Sequence, residues 1–204
     1  LAAVLAAIEH ARAAGFDPAR GALKLNAVIK RGANDDQVLP LAALARERGL
    51  ELRLIEFMDV GSRNGWQSEA VLSAAEMLEQ IGSSWPLEPL GRTAHGTASR
   101  WRYRDSGPGS HTPHLAVVAS VSAPFCGDCN RLRVTADGVA YTCLFAAPGS
   151  GLDLKPLLQE ESGAAELELA MADLWNQRSD RYSEERNTGK TANSARAEMA
   201  YLGG

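Results

Sequence analysis

Three cysteines lie close together in the sequence with a spacing that suits metal chemistry. Cys126, Cys129 and Cys143 follow the pattern C-x2-C-x13-C within FCGDCNRLRVTADGVAYTCLF, residues 125–145, and the chain has no other cysteine. A C-x2-C pair lets two thiolates reach one metal centre without backbone strain. Three cysteines that include such a pair do not suit a secreted disulfide framework, so we expect a reducing compartment, the cytoplasm. The spacing predicts a metal or iron-sulfur site.

Two kinds of centre fit this spacing. A structural zinc site normally has four protein ligands, and His114 or His111 could supply the fourth. An iron-sulfur cluster held by three cysteines would instead leave one iron open to a ligand from outside the protein. The spacing alone does not decide between the two.

The two arginines that follow the second cysteine could bind an anion or a purine. Arg131 and Arg133 alternate around Leu132, so on a strand both arginines project from one face, beside the cysteines. The alternative is a solvent-facing pair, which is common on edge strands.

The hairpin turn after these arginines decides where the third cysteine points. If only the Asp-Gly pair at 137–138 forms the loop, Cys143 lies opposite Leu132, on the face away from the arginines. If Ala136 joins a three-residue loop, Cys143 pairs with Arg131 and shares its face. Because a composite site needs the second arrangement, we predict the three-residue loop or an equivalent bulge.

Helix and strand patterns alternate in the first part of the chain, as they do in proteins with a parallel α/β sheet. The pattern predicts a helix over 1–14, a strand over 22–29, a helix ending near Arg48, and a strand over 50–58. Asn34 and Gln37 have capping-box spacing for the second helix, although Pro40 would either kink that helix or mark a later start. Two such units fit the trailing part of an incomplete barrel.

Two basic residues fall inside these predicted strands. Lys24 shares a strand face with Asn26, and Arg53 lies within the second strand. Basic residues in buried parallel strands need partners. A salt bridge from Arg53 to Glu51 or Glu56 is one interpretation, and a ligand site is the other.

The alternation of helix and strand patterns stops in a Gly-, Ser- and Pro-rich passage at residues 82–95, after a predicted helix over 68–81. Short strand-like pieces follow up to residue 145, and a later helix is predicted in GAAELELAMADLWNQR. We therefore predict two domains, residues 1–82 and 83–204, the second of class α+β.

Length and composition set broad limits. The chain has 204 residues, 45% of them hydrophobic, and a net charge of -4, which suits a globular protein and disfavours nonspecific nucleic-acid binding. No run approaches the ~18 apolar residues of a membrane span. Because the sequence begins with Leu1 inside a helical pattern, we expect it to be part of a longer protein.

The cysteine stretch closely resembles the second iron-sulfur motif of the GTP 3',8-cyclases, the radical S-adenosylmethionine enzymes that begin molybdenum cofactor synthesis. The resemblance extends through LRLIEFMDVG, NGW, SVSAPFCGDCNR, DRYSEER and the terminal Gly-Gly. It implies the end of an incomplete (βα)6 barrel of the TIM type, followed by an α+β region with an auxiliary 4Fe-4S cluster.

The resemblance also assigns roles to residues. It implies that Cys126, Cys129 and Cys143 hold the cluster, with the guanine of GTP at the open iron. It further implies that the residues lining the GTP site beside the cluster are Arg131, Leu132 and Arg133.

Further ligand contacts follow from the same resemblance. It implies a GTP contact for Lys24, to the phosphates, and main-chain recognition of the S-adenosylmethionine adenine at Met58. Arg53 could face the same cavity, and the tail with Gly203 and Gly204 would reach into the active site. Barrel sites gather at the carboxyl ends of strands, where we expect these residues.

The sequence departs from the cyclases because the C-x3-C-x2-C motif of their first cluster is missing. The resemblance thus implies a lyase whose S-adenosylmethionine-cleaving cluster lies outside this chain, which alone could not start the radical reaction. It implies GTP as substrate, cyclic pyranopterin monophosphate synthase as recipient of the product, and a homodimer as one assembly to test. No nucleic acid or membrane partner is expected. The alternatives are another radical S-adenosylmethionine maturase with an auxiliary cluster and a zinc-binding scaffold.

Overall fold

The computed structural model describes residues 1–94, 96–106, 114–158, 163–186 and 195–202. The chain divides into two compact units: residues 1–58 with 67–124, and residues 59–66 with 125–204. The predicted domain boundary at 82–95 falls between a helix and a strand of the first unit, and the two-domain division stays a prediction. Within the described residues, no helix is both long and apolar enough to cross a membrane.

Within the described residues, the first unit contains three α-helices and five strands. The helices are α1 (Ala2–Ala13), α2 (Val38–Glu47) and α3 (Ala74–Ser84). The strands are β1 (Lys24–Ile29), β2 (Glu51–Glu56), β3 (Leu87–Arg92), β4 (Ser99–Tyr103) and β5 (His114–Val118). They form one sheet in the order β1-β2-β5-β4-β3.

This sheet confirms the α/β class and the predicted parallel pair. β1 and β2 are parallel, with α2 between them in the chain, and β2 is also parallel to β5. β4 and β3 then add to β5 in antiparallel fashion. The described residues therefore form a mixed, open sheet and no closed barrel.

The two faces of the sheet differ in chemistry. Leu52 and Leu54 of β2 are fully buried, in one core with Ile29 of β1, Ala42 of α2 and Met77 of α3. Burying a leucine side chain contributes roughly 2 kcal/mol, so this apolar face holds the helices on the sheet. Alternation along β1 and β2 places Lys24, Glu51 and Arg53 on the opposite face, whereas Glu56 shares the face of Leu52 and Leu54.

The second helix begins later than the capping-box spacing suggests. α2 starts at Val38, and Asn34 makes no capping hydrogen bond. The Asn34 side chain instead accepts from the Lys30 amide (2.8 Å) and donates to the Val28 carbonyl (2.9 Å). The predicted capping box is therefore wrong, and Pro40 lies in the first turn of α2, where proline is tolerated.

The third helix has the capping box that the second lacks. α3 starts at Ala74, whereas residues Ser68–Ala70, at the predicted helix start, form a short 3-10 turn. The Ser73 hydroxyl accepts from the Glu76 amide (3.3 Å), and the Glu76 carboxylate accepts from the Ser73 amide (2.9 Å). Hydrogen bonds from Arg31 and Ser73 lower the pKa of Glu76 to about 2.

We expect the Glu76→Gln variant to lose about 0.5–1 kcal/mol of unfolding free energy at neutral pH, because glutamine keeps the capping-box geometry but loses the negative charge that pairs with Arg31 and favours the helix N-terminus. Because the pKa of Glu76 is lowered in the folded state, its contribution is complete above about pH 4.5. That contribution should disappear as the pH falls towards about 2. Urea unfolding between pH 2 and 7 measures the difference, with the exposed Glu79→Gln as control. A difference that does not change with pH would contradict the assignment.

A buried carboxylate closes the end of the central strand. Glu56, the last residue of β2, is fully buried. It accepts hydrogen bonds from the amides of Ala74 (2.8 Å), Val121 (2.7 Å) and Ser122 (2.9 Å), and from the Ser122 hydroxyl. Glu56 therefore joins the end of β2 to the start of α3 and to the turn after β5.

The second unit is built on a small antiparallel sheet. Its strands, in the order β6-β7-β8, are β6 (Arg133–Val134), β7 (Val139–Tyr141) and β8 (Leu152–Asp153). Its helices are α4 (Lys155–Leu158), α5 (Gly163–Asn176) and α6 (Tyr182–Glu185). Ala197 and Leu202 of the C-terminal segment 195–202 pack with Tyr141 and Ala146 in a separate small core, against which Cys143 also packs.

Candidate functional site

The hairpin after the arginines has the predicted three-residue loop. Arg133 pairs with Tyr141, and the Thr135 amide donates to the Val139 carbonyl (3.0 Å), which leaves residues 136–138 as the loop. Gly138 has a φ of 81°, a left-handed conformation that glycine adopts without strain. The loop length is therefore confirmed. The paired residues end at Arg133 and Tyr141, so the position of Cys143 opposite Arg131, two residues further along the same register, stays a prediction.

The first two cysteines lie on a short turn. Cys126–Asp128 form one turn of 3-10 helix, and the Cys129 amide donates to the Cys126 carbonyl (3.3 Å). Arg131 covers this turn: its guanidinium lies 5.3 Å from the centre of the Phe125 ring, and its Nε donates to the Cys129 sulfur (3.3 Å). Arg131 is therefore a direct neighbour of a candidate ligand.

The thiols differ in electrostatic environment. Burial opposes ionisation of Cys129, but hydrogen bonds from Arg131 and the charges of Arg131 and Arg178 lower its pKa overall. Burial raises the pKa of Cys143 to about 11, and the Asp180 and Cys126 charges add to that rise. Burial and the Arg131 charge lower the pKa of Arg133, an effect that Cys129 and Cys143 oppose. Arg133 therefore interacts with thiols from both parts of the motif.

The described residues do not form a set of ligands arranged for a single zinc ion. Thiolates that share one zinc lie about 4 Å apart, because each Zn–S bond is about 2.3 Å long. No three His, Cys, Asp or Glu side chains in the described part of the chain are arranged to hold one ion. His114 belongs to the first unit, where it pairs with Arg102 on β4, and His111 lies outside the described residues. Three cysteine thiols are nonetheless the ligand type that iron-sulfur clusters use.

Leu132 lies between the two arginines in the chain and faces a different environment. It lines a cavity of about 480 Å³ with Met171 and Trp175 of α5. Its neighbours in the sequence interact with cysteines: Arg131 donates a hydrogen bond to Cys129, and Arg133 interacts electrostatically with Cys129 and Cys143. The three consecutive residues therefore offer both charge and apolar surface.

The basic residues of the first unit lie on the charged face of the large sheet. Lys24 is opposite Glu51 in the strand register, and its side chain is exposed. Arg53 pairs with Glu51 (Nε–Oε1 2.6 Å), which confirms one of the two predicted salt bridges, and Arg100 contacts the same carboxylate at 3.2 Å. Two arginines thus contact one buried carboxylate, and Lys24 lies opposite it in the strand register, which leaves surplus positive charge around Glu51.

The structure corrects the expected position of one residue on this face. Lys24 is the first residue of β1, so it lies at the amino end of the strand and not at the carboxyl end. Met58 follows the carboxyl end of β2 by two residues, as expected. A six-residue strand spans roughly 20 Å, so one ligand that contacted both Lys24 and Met58 would have to extend over about that distance. Gly203 and Gly204 lie outside the described residues.

Sequence reasoning missed a buried ionic network in the second unit. Asp59 accepts from the Tyr182 hydroxyl (2.6 Å), from Arg186 Nε (3.0 Å) and from Arg196 Nη1 (2.9 Å). Although burial opposes it, the hydrogen bonds from Arg186 and Tyr182 and the Arg186 charge lower the pKa of Asp59. The network borders a polar cavity of about 340 Å³ that Trp66 also lines.

The motif DRYSEER contributes to this network and also reaches the cysteine hairpin. The ring of Tyr182 stacks on Phe145, with centroids 4.3 Å apart, and the Phe145 amide donates to the Cys143 sulfur (3.4 Å). The spacing of residues within the motif does not predict these contacts, because the residues that the motif contacts are distant from it in the sequence.

Comparison with known proteins gives the class to which this fold and site belong. The family model Molybdenum Cofactor Synthesis C matches residues 50–184, and the chain belongs to that family. The matched range includes Cys126, Cys129 and Cys143.

Curated relatives carry a more specific description. The chain is 64% identical to the GTP 3',8-cyclase of Synechococcus sp. (strain CC9605) over 197 residues, which are 97% of this chain and 54% of that protein. It is 46% identical to the GTP 3',8-cyclases of Acidothermus cellulolyticus (89% of this chain, 48% of that protein) and Xanthomonas campestris pv. campestris strain B100 (98% and 56%). The chain is thus a homologue of GTP 3',8-cyclases that spans about half their length.

Proposed function

We propose that this chain is the GTP-binding, auxiliary-cluster part of a GTP 3',8-cyclase. The reaction would convert GTP to 3',8-cyclo-7,8-dihydroguanosine triphosphate in molybdenum cofactor synthesis. The observation that carries the proposal is the three-residue hairpin loop, whose register, if it continued for two more residues, would set Cys143 opposite Arg131. Similarity to the cyclases over nearly the whole chain supports it.

Cys126, Cys129 and Cys143 would hold a 4Fe-4S cluster, which supplies an open iron for the guanine. Arg131 and Arg133 are placed beside these cysteines, so they would orient the purine through charged hydrogen bonds. Orientation is the main contribution of such residues, because the reacting ribose carbon and base carbon must be held at short range.

The first unit would serve the other groups of the reaction. Lys24 would contact the triphosphate, and Arg53, on the same sheet face, would add to the positive field around it. The main chain at Met58 would recognise the adenine of S-adenosylmethionine. In the complete enzyme, β1 and β2 would be the last strands of the incomplete barrel, and the first cluster would be bound outside this chain.

The Arg133→Ala variant tests the nucleotide site. We expect GTP to bind the anaerobically reconstituted variant roughly 10- to 100-fold more weakly, because a charged hydrogen bond contributes about 1.5–3 kcal/mol. Equilibrium binding of GTP to the native and variant chains measures the change. Arg48→Ala, which removes an arginine that follows α2 and pairs with Glu9, is the matched control and should bind as the native chain does. Equal GTP affinity of all three chains would contradict the assigned role.

A further inference from the structure

Arg178 contacts the main chain at both cysteines of the C-x2-C pair. Its Nη1 donates to the Cys129 carbonyl (2.6 Å), and its Nη2 donates to the Cys126 carbonyl (3.1 Å). The guanidinium lies 5.2 Å from the centre of the Trp175 ring, and the side chain is only 13% exposed. Two carbonyls bound by one rigid fork fix the distance between the two cysteine backbones.

Asp180 reaches the other half of the ligand set. Its carboxylate accepts a hydrogen bond from the hydroxyl of Thr142, the residue before Cys143. The same carboxylate oxygen lies 3.5 Å from Arg178 Nε, and the Asp180 carbonyl accepts from Arg178 Nη2 (3.4 Å). One ion pair therefore connects the turn with Cys126 and Cys129 to the strand end with Cys143.

We propose that Arg178 and Asp180 are positioning residues that hold the three cysteines in the arrangement needed to bind the cluster. This inference rests on the proposed function, because it assigns the pair to the same cluster site. Neither residue is a candidate ligand: Arg178 acts through main-chain carbonyls, and Asp180 acts through Thr142. We call the two residues the Arg-Asp clasp.

The chemistry of arginine explains why a lysine would not replace it. A guanidinium donates from several fixed directions, whereas an ammonium group is a single point of charge on a flexible stem. Arg178→Lys would keep the positive charge but could not hold both carbonyls in one geometry. Comparing Arg178→Lys with Arg178→Gln therefore separates the effect of geometry from that of charge.

The metal-free chain provides the first test, which does not depend on a cluster. We expect amide hydrogen exchange at residues 126–131 and alkylation of the cysteines by iodoacetamide to be about tenfold faster in Arg178→Gln and in Asp180→Asn. Arg102→Gln, which removes an exposed arginine paired with Glu88 in the first unit, is the matched control and should match the native chain. Rates equal to those of the native chain in both clasp variants would overturn the proposal.

The reconstituted chain provides the second test. We expect both Arg178 variants to release iron to a chelator about tenfold faster than the native chain, with a changed electron paramagnetic resonance spectrum of the reduced cluster and a melting temperature like that of Arg102→Gln. An unchanged spectrum and release rate would overturn the clasp while leaving the cluster assignment intact. If the native chain itself bound no cluster, the proposed function would fail, and the exchange and alkylation rates would still decide whether the clasp exists.

Discussion

Anaerobic reconstitution of Cys143→Ala should yield less than about one iron per chain, against about four for the native chain. Cys143 follows the second strand of the hairpin by two residues, and two remaining thiolates cannot hold a cluster with three cysteine ligands. Iron and acid-labile sulfide analysis measures the loss.

The neighbouring Thr142→Ser serves as control, because it keeps the hydroxyl that donates to Asp180 and should bind the native amount of iron. Far-ultraviolet circular dichroism shows whether Cys143→Ala is still folded. A folded Cys143→Ala chain with four irons and unchanged absorption would show that Cys143 is not a ligand.

The largest effect on stability is expected at Glu56. We expect Glu56→Ala to lower the free energy of unfolding by about 3–5 kcal/mol, because buried donors without a partner cost about 1–3 kcal/mol each. The donors are the amides of Ala74, Val121 and Ser122 and the Ser122 hydroxyl, and the Glu56 side chain is fully buried. Urea unfolding of the native and variant chains gives the difference.

Glu88→Ala is the control for this variant, because Glu88 is 40% exposed and makes a surface pair with Arg102. Such pairs contribute about 0–1 kcal/mol. In Glu56→Gln, the amide nitrogen would face N–H donors, so we expect a loss between those of the other two variants. A loss below about 1 kcal/mol for Glu56→Ala would mean that water or a rearrangement replaces the carboxylate.

Local patterns predicted much of this structure. The alternation of strand and helix predicted the parallel pair β1 and β2, which the structure confirms. The requirement that Cys143 share a face with the arginines predicted a three-residue loop, which is also confirmed. Both predictions depend on contacts between residues close in sequence or on simple periodicity, which the sequence displays directly.

Other features depend on contacts that no local pattern reveals. The spacing of Asn34 and Gln37 suits a capping box, but the Asn34 side chain bonds to the preceding strand end instead, so α2 starts later. Asp59 meets Arg196 across 137 positions of sequence, and Arg178 meets Cys126 across 52. Such partners are set by the tertiary fold.

The proposed cluster site is tested most directly by metal analysis of the anaerobically reconstituted chain, followed by electron paramagnetic resonance with and without GTP. If the three cysteines hold a 4Fe-4S cluster, we expect about four irons and four sulfides per chain, and a cluster signal that changes when GTP binds at the open iron. One zinc per chain without sulfide, or a cluster signal indifferent to GTP, would contradict the claim that these cysteines and arginines form a nucleotide-binding cluster site.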